Sequence, residues 1–514
     1  MAVHIEAQDP RFRSVLKGHN LRWPASPAEA VHSIDFCEDS GDVISALQRV
    51  VDEGRRPTVR SGGHCYEDFV ANNPGGALLD LSLITAGHSP GDPGRYRISA
   101  GQQLGDTYLN LYKRYGVTIP AGSCYTVGAG GHITGGGYGL LSRLHGLTVD
   151  WLSAVDIVTI DSHGKALLLR AAKSQHPDLF RACRGAGGGN FGVITSYYFD
   201  QLPNAPQEVV TGGVSFDWDS MSETRFVDIL SKFGDYWATR GKQEDTWGLF
   251  SILNLSHRSG GFLHLSFQFC NPDGTCRDLA VINEFLDRFE DCGGSPEHLS
   301  IQADKIGPNK NPASVPCNGQ HALSRSPWLE ATINGAGGSS GARAKYKSAY
   351  MKENFTADQA KKIYRHFTQM DGGLEARRPV LAVDSFGGAV NRRVSLGETA
   401  CFQRSSIMKL QYLSFWRDAA EDAERLKWMN DFYTDLYSGD EVPPRYTGTP
   451  YPGKHYEGCY INYPDRDMLA YSFWPQLYYG DGDLYPFLQD VKMRYDPHNI
   501  FHHAMSIRPK SELL

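Results

Sequence analysis

The stretch Gly128-Ala-Gly-Gly-His-Ile-Thr-Gly-Gly-Gly-Tyr-Gly139 holds seven glycines in twelve residues. Such a run is costly in chain entropy and offers few side chains to a core. It makes sense where backbone must press close to something, so the chain is expected to fold around a ligand. A second cluster, Gly187-Gly-Gly-Asn-Phe-Gly192, matches GxGxxG. A Rossmann dinucleotide site needs a strand before that motif and a helix after it. Here a helical pattern at 177–183 precedes and the β-like run 193–199 follows. The context is inverted, which rejects a dinucleotide site and leaves either a tight turn between helix and strand or a glycine-lined wall against a bound group. A third segment, Arg60-Ser-Gly-Gly-His64, follows the short strand pattern 57–60. Its small residues leave backbone N–H groups to face an anion.

Composition excludes several classes. The 514 residues carry a net charge of −7, which argues against a generally basic nucleic-acid binder. No run of 18 apolar residues occurs, so no membrane-spanning helix is expected. The N-terminus shows no apolar signal segment, and a cytoplasmic location is expected. The ten cysteines are too sparse for a disulfide scaffold and include no CxxC pair. His502 and His503 are adjacent and would face opposite ways on a strand, so no metal is expected.

Periodicity gives an α+β chain. Helical patterns at 40–54 and 104–115 alternate with β-patterns at 57–60, 77–84, 96–100, 154–160, 165–169 and 193–199. Beyond residue 205, helices near 220–239, 277–290, 356–371 and 417–437 interleave with β-runs near 247–253, 262–269, 379–384 and 407–415. That predicts a sheet with helices on one face. Residues 310–347, rich in Gly, Ser, Ala and Pro, read as a long loop, and a last helix falls at 484–495. The segment 458–465 reads as extended, with Tyr460, Asn462 and Pro464 on one side and Ile461 and Tyr463 on the other.

Together these segments resemble the berberine-bridge-enzyme-like flavin oxidases of the vanillyl-alcohol-oxidase (VAO) superfamily. Arg60-Ser-Gly-Gly-His64 resembles the motif whose His bonds the 8α-methyl of FAD, and Cys124, 60 residues on, matches the Cys that bonds flavin C6. The glycine run, the Gly-Gly-Gly-Asn-Phe-Gly turn, Tyr460-x-Asn-Tyr463 and Asp496-Pro-x-Asn-x-Phe501 follow in family order. The resemblance implies a two-part FAD-binding domain of the PCMH/VAO type over 1–205. It also implies a substrate domain with a mainly antiparallel sheet covered by helices over 206–455, and a C-terminal segment, 456–514, returning to the FAD domain.

By the same resemblance FAD is bound covalently through His64 and Cys124. Arg60, Ser61, Gly62, Gly63, Val127, Gly128, Gly131, His132, Gly137, Gly192, Val193, Tyr460, Asn462 and Asn499 are then cofactor-binding. Val127 matches a gate position where a small residue admits O2. Tyr463 matches the catalytic base, with Tyr138 assisting and Asp384 polarising it. The implied partners are O2 and a small molecule, with no nucleic acid and no membrane. The expected reaction is alcohol oxidation on a natural product or glycoside, yielding H2O2. Oligosaccharide oxidation, and oxidative cyclisation or desaturation on the same fold, are the alternatives. A flavin-storage protein is disfavoured by the two tyrosines.

Overall fold

Three sheets set the architecture of the computed structural model, which describes residues 2–89, 92, 94–297, 315–317, 323–334, 341–369, 379–395 and 397–510. The first sheet has four strands in the spatial order Val3–Glu6, Ser33–Phe36, Ala77–Asp80, Pro57–Arg60. The last three run parallel, and the first is antiparallel to its neighbour. Parallel neighbours need a crossover, and the helix Ser40–Asp52 supplies one. Its N-cap is Asp39, whose side chain accepts from the Asp42 N–H, and Val43, Ala46, Leu47 and Val50 are buried. The second sheet is fully antiparallel, in the order Tyr96–Ser99, Val193–Phe199, Ala154–Ile160, Ala166–Ala172.

The third sheet has nine strands drawn from residues 208–416, all antiparallel. Its central strands Leu249–Ser256 and Val380–Ser385 are buried throughout. The helices Glu223–Thr239, Ala357–Thr368 and Asp422–Leu436 pack beside one another over one face. Strands covered on both sides lose the polar alternation of a half-exposed sheet. The uncovered face looks toward the two smaller sheets, and a cavity lies between them.

Several strands of the large sheet depart from the sequence reading. Glu208–Asp217, in the middle of the large sheet, carries Gly212-Gly213 at its centre and so hides its β-pattern. Arg343–Met351 is an edge strand that begins within the stretch 310–347 read as a loop. That stretch also contains the strands Val315–Cys317 and Leu323–Pro327 and the helix Trp328–Asn334, while 310–314, 318–322 and 335–340 lie outside the described residues. The strand Arg343–Met351 carries Lys345 and Lys347 two apart on one face. Both lysines are buried and neutralised by carboxylates. The glycine run is no simple loop either, since Ala129–Thr134 forms a short helix within it.

Candidate active site

Arg60 ends its strand and is among the residues that line the cavity, and each nitrogen of its guanidinium donates within the fold. Nε donates to Asp80 Oδ2 at 2.6 Å, and the terminal nitrogens donate to the carbonyls of Leu16 and Val15. Arg60 therefore anchors the following turn. Ser61 likewise donates its hydroxyl to the Ala100 carbonyl at 2.5 Å. Gly62 and Gly128 then meet backbone to backbone. A Cβ on Gly62 would lie 2.2 Å from the Gly128 nitrogen, and one on Gly128 would lie 2.1 Å from Ser61 Oγ. This contact brings the two glycine segments of the sequence together as one wall.

His64 and Cys124 project from that wall and both line the cavity, which has a volume of about 610 Å³. His64 stacks face to face on His19, with ring centroids 3.7 Å apart. Burial, helped by His19, pushes the His64 imidazole down to about 3, so the ring is neutral at ordinary pH. Its Nε2 lies 2.9 Å from Thr126 Oγ1, and the Cys124 sulfur lies 3.8 Å from that same oxygen. Half-buried Val127, Gly128, Gly131 and Gly192 also face the cavity. A Cβ on Gly131 would meet nothing within 4 Å, so this glycine opens straight onto the space.

His132 accepts the Gly122 N–H on Nε2 at 3.1 Å, and burial followed by Lys409 pushes it down to about 4. Its carbonyl accepts from Asn462 Nδ2 at 2.9 Å, and the same amide also donates to the Tyr460 hydroxyl at 3.1 Å. The strand alternation expected for 458–465 is broken there. The Tyr463 N–H bonds the Tyr460 carbonyl at 2.9 Å, closing a turn that puts Tyr460, Ile461, Asn462, Tyr463 and Pro464 all on the cavity.

Three expected cofactor contacts lie elsewhere. Gly137 has φ +74°, and a Cβ there would lie 2.5 Å from Thr148 Cβ, so it is a packing turn. Val193 begins a strand and points opposite to its cavity-lining neighbours Gly192 and Ile194. Asn499, at φ 49°, bonds through its N–H to the Asp496 carbonyl and shapes the C-terminal turn away from the lining. Tyr138 does line the cavity, but its hydroxyl donates to the Ser385 carbonyl at 2.8 Å. Burial, with Asp384 next, holds its phenol well above the usual range.

The large sheet forms the opposite wall. Ile252, Asp384 and Lys409 are direct cross-strand neighbours. Lys409 is fully buried and pairs with Asp384 Oδ2 at 3.0 Å. Its ammonium sits 4.4 Å from the Tyr463 ring centre, 4.6 Å from that of Tyr138 and 5.6 Å from that of Tyr460. Asp384 thus meets the tyrosines through Lys409. The sequence reading missed this lysine because lysines are almost always exposed. Its signal was position, two residues before Gln411 and four before Leu413, which share its face of the strand. Phe250, Ile252, Tyr346, Leu413 and Phe415 make the rest of this wall apolar. Tyr66 stacks on Tyr346 at 3.4 Å and approaches Tyr463 at 5.6 Å.

A buried ionic cluster holds these tyrosines in place. Lys345 reaches Glu67 at 2.6 Å and Asp465 at 2.7 Å, and Lys347 reaches the other Asp465 oxygen at 2.6 Å. Glu67 follows Tyr66 and Asp465 follows the Tyr463 turn, so two separate loops are tied to one strand.

Comparison with known proteins agrees with this arrangement. Residues 32–167 match an FAD binding domain model, and residues 459–508 match a berberine and berberine-like model. The chain is 34% identical to a hexose oxidase of Chondrus crispus, over 98% of this chain and 94% of that protein. The chain belongs to the berberine-bridge-like family of FAD-linked oxidases. An aclacinomycin-N/aclacinomycin-A oxidase of Streptomyces galilaeus is 33% identical over 99% of this chain and 90% of its own. A solved glycopeptide hexose oxidase complexed with teicoplanin superposes with a TM-score of 0.84 at 32% identity, covering 99% of both chains. FAD fits what the family member presents. Glycine backbone lines the cavity where a cofactor must approach closely, Gly131 leaves open space, and a neutral imidazole and a thiol stand side by side at one wall.

Proposed function

We propose that this oxidase removes hydride from a carbinol carbon of a sugar carrying an apolar group, with FAD attached through His64 and Cys124. The observation that carries the reading is Tyr463 facing the cavity with the Lys409 ammonium against its ring. When bound, FAD supplies the hydride acceptor and passes electrons to O2. Hydride leaves a carbinol readily only if negative charge develops on its oxygen, so a base must take the hydroxyl proton. Tyr463 is that base. A phenol of ordinary acidity is a poor base near neutrality, and the buried ammonium of Lys409 favours its anionic form. Tyr138 is a fixed wall of the same pocket, its own proton held by Ser385. Asn462 ties the base-bearing turn to the His132 segment. Val127 lies between Cys124 and Gly128 with a small side chain, the arrangement that leaves O2 a path.

The apolar wall of Phe250, Ile252, Leu413 and Phe415 favours a glycoside over a free hexose. Phe415 keeps 39% of its surface exposed and gives an aglycone a place to rest. The test is anaerobic flavin reduction with a matched pair, a free hexose and the same hexose on an aromatic aglycone. The glycoside should reduce the flavin with the larger kcat/KM. Faster reduction by the free hexose would assign the chain to carbohydrate oxidation, and reduction by neither would refute alcohol oxidation.

A further inference from the structure

Thr126 belongs to none of the roles above. Its side chain is absent from the cavity lining, although Ser123, Cys124, Val127 and Gly128 all reach it. Yet its single hydroxyl stands 2.9 Å from His64 Nε2 and 3.8 Å from the Cys124 sulfur. His19 stacks on the face of the His64 ring and fixes its plane, which leaves open the half-turn about Cβ–Cγ that exchanges the two edges of the ring. The Thr126 hydroxyl removes that freedom. The turn carrying it is closed by the Val127 N–H on the Cys124 carbonyl at 3.3 Å, so hydroxyl and thiol move as one unit.

We propose that Thr126 is the positioning residue for both flavin attachments, setting which edge of the His64 ring faces the cavity and the placement of the Cys124 sulfur through one hydroxyl. The inference rests on the two-bond reading given under Proposed function. At the histidine, a bond forms between the ring nitrogen turned away from Thr126 and the 8α carbon. One methyl C–H proton and the ring's remaining N–H proton are lost, and the electron pair goes to the flavin and then to O2, which leaves as H2O2. At the cysteine, an S–C6 bond forms, the thiol and C6–H protons are lost, and the electron pair takes the same route. Once the far nitrogen is alkylated, Nε2 is an acceptor only. A hydroxyl suits this position because it accepts or donates by rotating. It therefore serves the free and the attached histidine alike.

The test uses the full chain in two single-link backgrounds, Cys124→Ala and His64→Ala. Thr126→Val and Thr126→Ser are added to each, and acid-stable and acid-released FAD are measured over time. Thr126→Val should keep one FAD per chain but attach it about ten- to a hundredfold more slowly in both backgrounds, as expected for a misplaced reacting atom. Thr126→Ser should restore the rate. Attachment at the parent rate in either valine variant would overturn the proposal. So would a valine variant that binds no FAD at all, because a positioning residue leaves the cradle intact, and so would serine failing to rescue. If both single-link parents already release all their FAD in acid, the two-bond reading itself fails, a result separable from any Thr126 effect.

Discussion

Replacing Lys409 by methionine removes the ammonium that lies over the Tyr463 ring. The ammonium lies 4.4 Å from the ring centre. At an effective dielectric of about 20, a unit charge at that distance stabilises a phenolate by about 4 kcal/mol. Asp384, 3.0 Å from the ammonium, opposes it. A carboxylate placed beyond the ammonium by that further 3.0 Å takes back about 2 kcal/mol at the same dielectric. About 1.5 kcal/mol remains, roughly one pH unit or a tenfold change in the reactive fraction. Methionine keeps the length and apolar contacts of the stem. Asp384, whose carboxyl burial already pushes upward, takes up a proton when its partner is gone. Stopped-flow anaerobic reduction across pH 6–10 is the assay. In Lys409→Met the rising limb should move about one unit toward alkaline pH, and the rate at pH 7 should fall about tenfold. The alkaline plateau should stay near the parent value. An unmoved limb with a uniformly lower rate would show that Lys409 only packs the wall, and the electrostatic reasoning would fail.

Tyr463→Phe should slow flavin reduction by about 10²–10⁴ with FAD retained, and an unchanged rate would place the base elsewhere. His64→Ala and Cys124→Ala should each leave FAD acid-stable through the remaining bond, and only the double variant should release it; intact mass decides. Val127→Leu should slow reoxidation by O2 more than reduction by substrate, and equal slowing would remove Val127 from the gate. Arg60→Gln should lower thermal stability by about 3–5 kcal/mol, because it strands the buried Asp80 carboxylate, while the flavin stays attached. Burial pushes His132 and His145 down to about 4 and His503 to about 3. The unfolded chain protonates these near pH 6.5 and the folded chain does not, so stability should fall steadily from about pH 6.5 to 4. Tm against pH measures this, and His132→Gln should flatten the slope.

Much of the frame was legible because its signals are local. The apolar spacing of 40–54 and 104–115 and the caps around them mark helices found at Ser40–Asp52 and Leu104–Tyr115. His64, Cys124 and Tyr463 were legible as motif positions. What escaped was set by burial against distant partners. Lysine is a residue type that is almost never fully buried unless paired, yet Lys345, Lys347 and Lys409 are each buried against a carboxylate far away in sequence or on a neighbouring strand. Arg60 stands at a motif position where each guanidinium nitrogen donates within the fold, and Asn499 shapes the C-terminal turn through its backbone. The Tyr460–Tyr463 turn overrode a simple alternation because one backbone bond reverses the chain there.

The ties that close the pocket have a consequence for the birth of the protein. Glu67 meets Lys345 across 278 positions, Lys345 meets Asp465 across 120, and Asn462 meets His132 across 330. Contacts of such separation form late and slowly, because large loops must close before any of them is rewarded. Until the segment that carries Asn462 and Asp465 has met the strand of Lys345, the glycine segments lack the turn that completes their cavity. Closing of the pocket is therefore expected among the last steps of folding, after the shorter-range contacts of the cradle are in place.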